Sequence, residues 1–207
     1  MEIIAEIGQN FNGDLKLAEN LIRLAAESGA NVVKFQLYDA ESLFPKKNNP
    51  WFEYNCKTEL SKNDTKLISK ICCDYGIEFM ATPFDIERVY WLEELGVKRY
   101  KIASRSINDT DLINTVIRTG KPIIASLGMW DEPYFPKINA DDVSYLYCIS
   151  KYPTQLTDIN LGSVDFDQYA GFSDHSIGIS AAMAAFARGA QIIEKHFTQD
   201  RTMDGPD

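Results

Sequence analysis

Short apolar runs alternate with helical patterns along this chain. The runs that predict β-strands cover residues 3–8, 31–37, 78–84, 99–104, 122–128, 144–150, 171–175 and 191–197. Between many of them, apolar residues recur every three or four positions, which predicts amphipathic helices. These helical patterns cover residues 15–25, 61–75, 85–95, 109–119 and 177–188. The chain is therefore predicted to alternate strands and helices over its whole length.

Repeated strand–helix alternation predicts right-handed crossovers and a parallel sheet. Eight strands favour an α/β fold of the (β/α)8, or TIM-barrel, type. Residues 129–143 hold two prolines and no helical pattern. No helical pattern follows residue 197 in this sequence either. Closed barrels typically need about 250 residues, whereas this chain has 207. We expect a single domain over 1–207, trimmed, with one or two outer helices missing.

Composition and charge narrow the classes of partner. Hydrophobic residues make up 45% of the chain and charged residues 25%, which is typical of globular proteins. A net charge of -9 argues against nucleic acid or an anionic membrane as the main partner. The N-terminal MEIIAEIG reads as a strand and not a signal peptide, and no apolar run approaches the roughly 20 residues of a membrane span.

The four cysteines have no CxxC or paired metal-ligand spacing. We expect reduced, mostly buried thiols, as in cytoplasmic proteins. A cytoplasmic location is therefore predicted.

Polar residues interrupt strands that should be apolar on both faces. Side chains alternate along a strand, so Glu6 points away from the apolar face of Ile3, Ala5 and Ile7 and into the barrel. The same parity places a larger set inward, nearly all toward the carboxyl ends of the strands: Glu6, Lys34, Gln36, Lys101, Ser173, His175, Glu194 and His196. Active sites of such barrels form at that end.

The inward lysines and glutamates need partners, because a buried unpaired charge costs several kcal/mol. One interpretation is an internal ion-pair network that fills the barrel. The other is a small ligand with several anionic groups, since lysine binds phosphate as a point charge and hydroxyls complete the contact. Hydroxyls near the two lysines favour the second interpretation: Ser104, Ser126 and Ser173.

The only two histidines, His175 and His196, close two short predicted strands. They are either unrelated core residues or two ligands of one metal ion, and their polar neighbours favour the metal. Two imidazoles without cysteine do not complete a structural zinc site, so open positions for water and substrate are expected. Mn2+ or Mg2+ suits the oxygen-rich surroundings, while zinc, cobalt (Co2+) or iron is also compatible. Asp174 faces the other way and is predicted to support the site.

Several motifs together resemble the sialic acid synthases, the N-acetylneuraminate synthase family, which includes legionaminate and pseudaminate synthases. They are EIGQNFNG (6–13), VVKFQ (32–36), ATPFD (81–85), YKIAS (100–104), SLGM (126–129), CISKYPT (148–154), GFSDHSIG (171–178), EKHFT (194–198) and GPD (205–207). Of these motifs, GFSDH and EKHFT with the GPD tail are the most specific to the family. The resemblance runs in order over nearly the whole chain.

The resemblance implies condensation of phosphoenolpyruvate with an N-acetylated amino sugar, such as N-acetylmannosamine, to give a sialic-type acid for surface polysaccharides and phosphate. It implies that His175 and His196 hold Mn2+. It implies that phosphoenolpyruvate is bound by Lys34, Lys101, Ser104, Ser126 and Ser173. It further implies that the sugar and the attacking water are lined by Glu6, Tyr152, Glu194 and Asp207. Gln36 and Ser150 are further candidate substrate-binding residues. Glu6 or Glu194 is the candidate general base, and Asp207 is also a candidate catalytic residue.

This chain also departs from the family. Phe11 replaces a histidine, Leu127 replaces a threonine, and Ser150 stands where many members have asparagine. The antifreeze-like domain that follows in relatives and reaches across a dimer is not in this sequence. We expect a homodimer, and an enzyme that is open, slow or differently selective. The alternatives are a pyruvate- or phosphoenolpyruvate-dependent aldose-condensing enzyme and a non-catalytic sugar-binding subunit.

Overall fold

A computed structural model describes residues 1–205. All eight predicted strands are present: β1 (Glu2–Gly8), β2 (Val32–Leu37), β3 (Glu78–Pro83), β4 (Tyr100–Ile102), β5 (Ile123–Ser126), β6 (Val143–Cys148), β7 (Gly171–Asp174) and β8 (Ile192–His196). Strand β2 pairs with β3, and β4 to β8 pair in chain order, in each case parallel. The fold class is (β/α)8, as the alternation predicted.

The α-helices are α1 (Leu15–Glu27), α2 (Ala40–Leu43), α3 (Phe52–Lys57), α4 (Lys62–Asp74), α5 (Ile86–Leu95), α6 (Thr110–Ile117) and α7 (Ser180–Ala187). Their ends follow local sequence signals. The Asp85 carboxylate accepts a hydrogen bond from the Arg88 N–H and caps α5, and Gly96, at φ 67°, ends it. Such caps satisfy backbone groups that a helix end leaves without partners. The short α2 and α3 lack a periodic pattern and were not predicted.

The described residues group into two compact units. The N-terminal unit holds Ala5–Val97 with residues 197–205, and the C-terminal unit holds Met1–Ile4 with Lys98–His196. In the N-terminal unit the Phe35 ring packs edge-on against Phe11, with centroids 6.0 Å apart. The assignment of 1–207 to a single domain stays a prediction.

Three connections in the described chain lack an α-helix. Residues 127–142 after β5 have none, and residues 149–170 after β6 include the 3-10 turns Leu156–Asp158 and Leu161–Ser163 but no α-helix. Residues 197–205, after β8, have none either. The first and third gaps were predicted, and the second was not. Over β6 in the C-terminal unit, an aromatic cluster of Phe135, Tyr145 and Tyr169 contributes apolar cover.

Replacing Phe135 with alanine is expected to lower the free energy of unfolding by about 2 kcal/mol. The Phe135 ring lies parallel to Tyr145 at 4.9 Å and edge-on to Tyr169 at 4.8 Å. Urea unfolding would measure the loss. The neighbouring Tyr134→Ala is the control, because that side chain is 65% exposed. Equal losses in the two variants would contradict the role of the cluster.

No helix formed within residues 1–205 is long and apolar enough to cross a membrane.

The four cysteines are free thiols, but only two are buried. Cys72 and Cys148 are buried, whereas Cys56 and Cys73 are exposed. The expectation of mostly buried thiols was therefore wrong for half of them, because Cys56 on α3 and Cys73 on α4 lie on exposed helix faces. Burial raises the pKa of Cys72 to about 12, so that thiol stays neutral at physiological pH.

Candidate functional site

A buried polar cluster lies among the strands of the C-terminal unit. The Lys101 ammonium on β4 donates to Ser126 Oγ on β5 at 2.8 Å and lies 3.5 Å from Glu194 Oε1 on β8. Ser173 Oγ on β7 donates to the same Glu194 oxygen at 2.7 Å. All four side chains are almost fully buried. Strand alternation brings them together, because each is an inward residue at or near the end of its strand.

Gly128 lies beside this cluster, and its backbone N–H donates to Ser104 Oγ at 3.0 Å. A Cβ at Gly128 would lie 2.6 Å from Ser150 Oγ and 3.0 Å from both Ser104 Oγ and Cys148 Sγ. Glycine is therefore the residue that fits without moving three neighbours. Ser104 and Ser150, both predicted site residues, face one small space here.

The sequence reasoning missed Cys148. Burial raises the pKa of its thiol, opposed by a hydrogen bond from Ser104 and the charge of Lys101, so the thiol is neutral at physiological pH. The strand pattern could have identified it. Tyr145 and Tyr147 pack on the outer face of β6, and because side chains alternate along a strand, Cys148 faces inward.

The two imidazoles lie face to edge in the C-terminal unit. The ring centroids of His175 and His196 are 5.3 Å apart, with planes at 69°. His175 Nδ1 lies 2.8 Å from the Ile149 carbonyl oxygen, which can only accept. Nδ1 therefore carries the proton, and Nε2 presents its lone pair.

The donor set fits a divalent ion. Burial, and next the charge of His196, lower the pKa of His175 to about 4, so its imidazole is neutral near pH 7, the form that ligates metals. Within residues 1–205 no group of three or more histidine, cysteine or acidic residues forms a metal cluster. The two imidazoles would therefore leave coordination positions to water and substrate.

Tyr152, which sequence motifs alone assigned to the sugar, contacts both imidazoles. Its ring stacks on His175 with centroids 4.1 Å apart and meets His196 at 5.4 Å. Its hydroxyl lies 3.1 Å from His175 Nε2.

A partly buried ion pair ties β7 to β8 just before the two histidines. Asp174 Oδ2 accepts from Lys195 Nζ at 2.8 Å, and Asp174 Oδ1 accepts from the Ser176 N–H and hydroxyl at 2.8 and 2.7 Å. Asp174 and Lys195 are paired in the strand register. Asp174 thus supports the backbone, as predicted, and Lys195 is its previously unnoticed partner.

Replacing Lys195 with methionine is expected to weaken Mn2+ binding about tenfold, because partners behind metal ligands typically contribute 10- to 100-fold. The change removes the tie between Asp174 and Lys195, the residues that directly precede His175 and His196. Isothermal titration would measure it, with Lys70→Met as a control on an exposed helix face. An unchanged Mn2+ affinity in Lys195→Met would contradict the supporting role.

A second polar group lies in the N-terminal unit. Lys34 Nζ is 2.7 Å from Glu6 Oε2 and donates to Thr82 Oγ1 at 3.1 Å. Gln36 Nε2 donates to Glu6 Oε1 at 2.8 Å. The lysine and glutamate are both buried. Thr82 was missed, although it belongs to the ATPFD motif on β3.

The predicted site residues thus fall into small groups within each unit. The C-terminal unit brings together Lys101, Ser104, Ser126, Ser150, Tyr152, Ser173, His175, Glu194 and His196, and the N-terminal unit brings together Glu6, Lys34 and Gln36. Asp207 lies outside the described residues. Both inward lysines have a glutamate beside them, so the internal ion pairing considered above is present in each unit.

Eight parallel strands with polar side chains at or near their carboxyl ends define a TIM-barrel protein with an enzyme-type site. The chain belongs to the NeuB family, whose model matches residues 21–207. This agrees with the resemblance to sialic acid synthases.

Individual relatives support the assignment. The chain is 38% identical to the N,N'-diacetyllegionaminic acid synthase of Legionella pneumophila subsp. pneumophila, over 99% of this chain and 66% of that protein. It is 31% identical to the human (Homo sapiens) N-acetylneuraminate-9-phosphate synthase, over 99% of this chain and 64% of that protein. The chain therefore spans about two thirds of the length of these curated relatives.

A solved structure is also similar. The N-acetylneuraminic acid (sialic acid) synthetase of Leptospira borgpetersenii serovar Hardjo-bovis, in complex with citrate, superposes with a TM-score of 0.90 at 36% identity, covering 98% of this chain and 75% of that one. The agreement over nearly all of this chain supports the (β/α)8 fold.

Proposed function

We propose that this chain condenses phosphoenolpyruvate with an N-acetylated amino sugar to give a sialic-type acid and phosphate. The observation that carries the proposal is the buried group of Lys101, Ser126, Ser173 and Glu194. A charged ammonium with neighbouring hydroxyls suits the phosphate and carboxylate of phosphoenolpyruvate. Synthases named for legionaminic and neuraminic acids among the relatives support the product class.

In this proposal the Lys101 ammonium and the hydroxyls of Ser104, Ser126 and Ser173 hold the anionic groups. Hydrogen bonding holds the Lys101 ammonium and the Ser126 hydroxyl in position before the ligand arrives, so these two groups need little reorganisation to stabilise moving charge. The Ser173 hydroxyl, which donates to Glu194 in the free protein, turns to the ligand. The sugar is contacted by Ser150 and Tyr152.

The chemistry proceeds in three stages. The methylene carbon of phosphoenolpyruvate bonds to the sugar aldehyde carbon while the aldehyde π bond opens, and the aldehyde oxygen takes up a proton. Water then adds to the central carbon and gives up one proton. Finally the bond from that carbon to the phosphate oxygen breaks, phosphate leaves, and the added hydroxyl loses its remaining proton as the ketone forms. Glu6 or Glu194 takes the proton from the water. A divalent ion held by His175 and His196, Mn2+ or alternatively Mg2+ or Co2+, would polarise the aldehyde as a Lewis acid.

Two residues that depart from the family pattern, Phe11 and Leu127, bear on the choice between an enzyme and a non-catalytic binding subunit. Phe11 is 2% exposed and packs on Phe35, and Leu127 is likewise buried. Both are core residues in this chain, so neither favours a non-catalytic binding subunit.

A homodimer and a cytoplasmic location complete the proposal. Apolar side chains on and before α7 are exposed, namely Ile177, Ile179, Met183 and Phe186, and a second subunit would cover them. Light scattering of the purified chain would measure its mass in solution.

The experiment mixes purified protein with Mn2+, phosphoenolpyruvate and a panel of N-acetylhexosamines and measures phosphate release. Release that depends on one sugar is the expected result. Turnover with pyruvate in place of phosphoenolpyruvate would instead identify an aldolase. Ligand binding without release across the panel would identify a sugar-binding subunit.

A further inference from the structure

One buried amide contacts both ends of the segment that follows β8, residues 197–205, here called the β8 extension. The amide belongs to Asn10, in the loop after β1, and is 3% exposed. Its Nδ2 donates to the Phe197 carbonyl at 3.1 Å. At the other end of the extension, a Cβ on Gly205 would lie 3.4 Å from Asn10 Oδ1. All these residues belong to the N-terminal unit, so the extension is a closed loop fastened at Asn10.

Tyr54 on α3 completes the contact at Gly205. Its hydroxyl lies 2.9 Å from the Gln9 carbonyl oxygen and 2.7 Å from Asn12 Oδ1, so it holds the loop on both sides of Asn10. The same hydroxyl would lie 3.1 Å from a Cβ on Gly205, whose φ is 151°. Glycine alone adopts this φ readily and also leaves room for the two side chains.

Between its ends the extension is mostly exposed. Asn20 Nδ2 donates to Gln199 Oε1 at 2.6 Å, and both groups lie at the surface. The Thr202 N–H and hydroxyl bond to Asp200 Oδ1, each at 2.8 Å, within the extension itself. The buried contacts at the two ends are therefore the ones that fasten it to the rest of the unit.

We propose that Asn10 is a positioning residue that clasps the β8 extension, and that turnover depends on this clasp. The inference rests on the proposed function, because candidate catalytic residues adjoin both ends of the extension. The Phe197 N–H donates to the Glu6 carbonyl at 2.8 Å, and Glu6 is a candidate general base. Asp207, a further candidate, is joined to Gly205 through one residue of the sequence. Releasing the clasp removes the attachment that both ends share.

Trypsin measures the clasp directly, because Arg201 is exposed within the extension. Asn10→Ala is expected to be cut after Arg201 about two- to tenfold faster than wild type, the range over which one hydrogen bond changes an equilibrium. The cutting rate follows the population of the open form when opening is fast. Asn20→Ala is the matched control: it removes an exposed amide contact to the same segment and is expected to stay within about twofold of wild type. Mass spectrometry would compare the Arg201 cut with cuts elsewhere, which report on global unfolding.

Gly205→Ala tests the other end of the extension without altering a buried side chain. Its Cβ would press against the Tyr54 hydroxyl and Asn10 Oδ1. We expect kcat for phosphate release to fall about tenfold or more, since a misplacement of about 1 Å can cost about 100-fold. The affinity for phosphoenolpyruvate, measured by titration, is expected to stay at the wild-type value, because the group around Lys101 is unchanged. In the double variant with Asn10→Ala, the two effects on Arg201 cutting are expected to be less than additive, since both changes break one contact.

Four outcomes decide the inference. Wild-type cutting after Arg201 in Asn10→Ala, equal acceleration in Asn20→Ala, or full additivity in the double variant would overturn the clasp. Faster cutting with wild-type kcat would overturn its role in turnover. No phosphate release by the wild type would overturn the proposed function and that role with it, whereas the cutting rates would still decide whether the clasp exists.

Discussion

Lys101→Met is expected to lower the affinity for phosphoenolpyruvate roughly 10- to 100-fold, the effect of losing a charge-assisted hydrogen bond, and to leave the affinity for the amino sugar near its wild-type value. Methionine keeps much of the length of the side chain and removes only the ammonium that lies 2.8 Å from Ser126 Oγ. Titration of each ligand separately would measure the two affinities. Equal losses for both ligands would contradict this division of roles.

The same substitution leaves Glu194 buried without the ammonium 3.5 Å away, and breaking a buried pair costs about 3–5 kcal/mol. A double variant, Lys101→Met with Glu194→Gln, separates stability from binding. It is expected to recover much of the lost stability in urea unfolding, while its phosphoenolpyruvate affinity stays well below that of Glu194→Gln alone, the control for the carboxylate removed beside the anion. Equal affinities of the double variant and Glu194→Gln would show that the single variant failed through its fold.

His196→Ala is expected to reduce metal-dependent turnover by more than about 100-fold, because even partners behind a metal ligand contribute about 10- to 100-fold. The variant removes one of two imidazoles whose centroids lie 5.3 Å apart. Phosphate release would be measured with added Mn2+ and after treatment with a chelator. Circular dichroism would check that the variant folds.

Chelator treatment of the wild-type protein provides the result that would contradict this prediction. Wild-type turnover that is unchanged after chelation would reject a catalytic metal, whatever the activity of the variant. Restoration by Mn2+ but not by Ca2+ is expected, because imidazole ligands suit transition metals and Ca2+ takes oxygen ligands.

Period-two alternation predicted the inward side chains well. In IIEKH the parity placed Glu194 and His196 on one face, and the structure buries Glu194 beside Lys101. The outward Lys195 instead meets Asp174. Backbone geometry alone fixes which residues share a face, so the sequence was sufficient for this part.

The partners of those residues could not be predicted from the sequence. Ser126 and Glu194 lie 25 and 93 positions after Lys101 in the chain, yet both reach its ammonium, since strand packing and side-chain conformation set their positions. The close approach of Tyr152 to His175 could not be predicted from the sequence either. It depends on the path of residues 149–154, which have no periodic pattern.

The crowding around Gly128 has a practical consequence for altering acceptor preference. Substitutions at position 128 will force the neighbouring side chains to move, because even the Cβ of alanine would lie 2.6 Å from Ser150 Oγ and 3.0 Å from Ser104 Oγ and Cys148 Sγ. Randomising Cys148 and Ser150, with Gly128 and the proposed anion-binding Ser104 kept, instead remodels the wall that the glycine leaves open. Under the proposed function, smaller residues there would enlarge the space for a bulkier sugar.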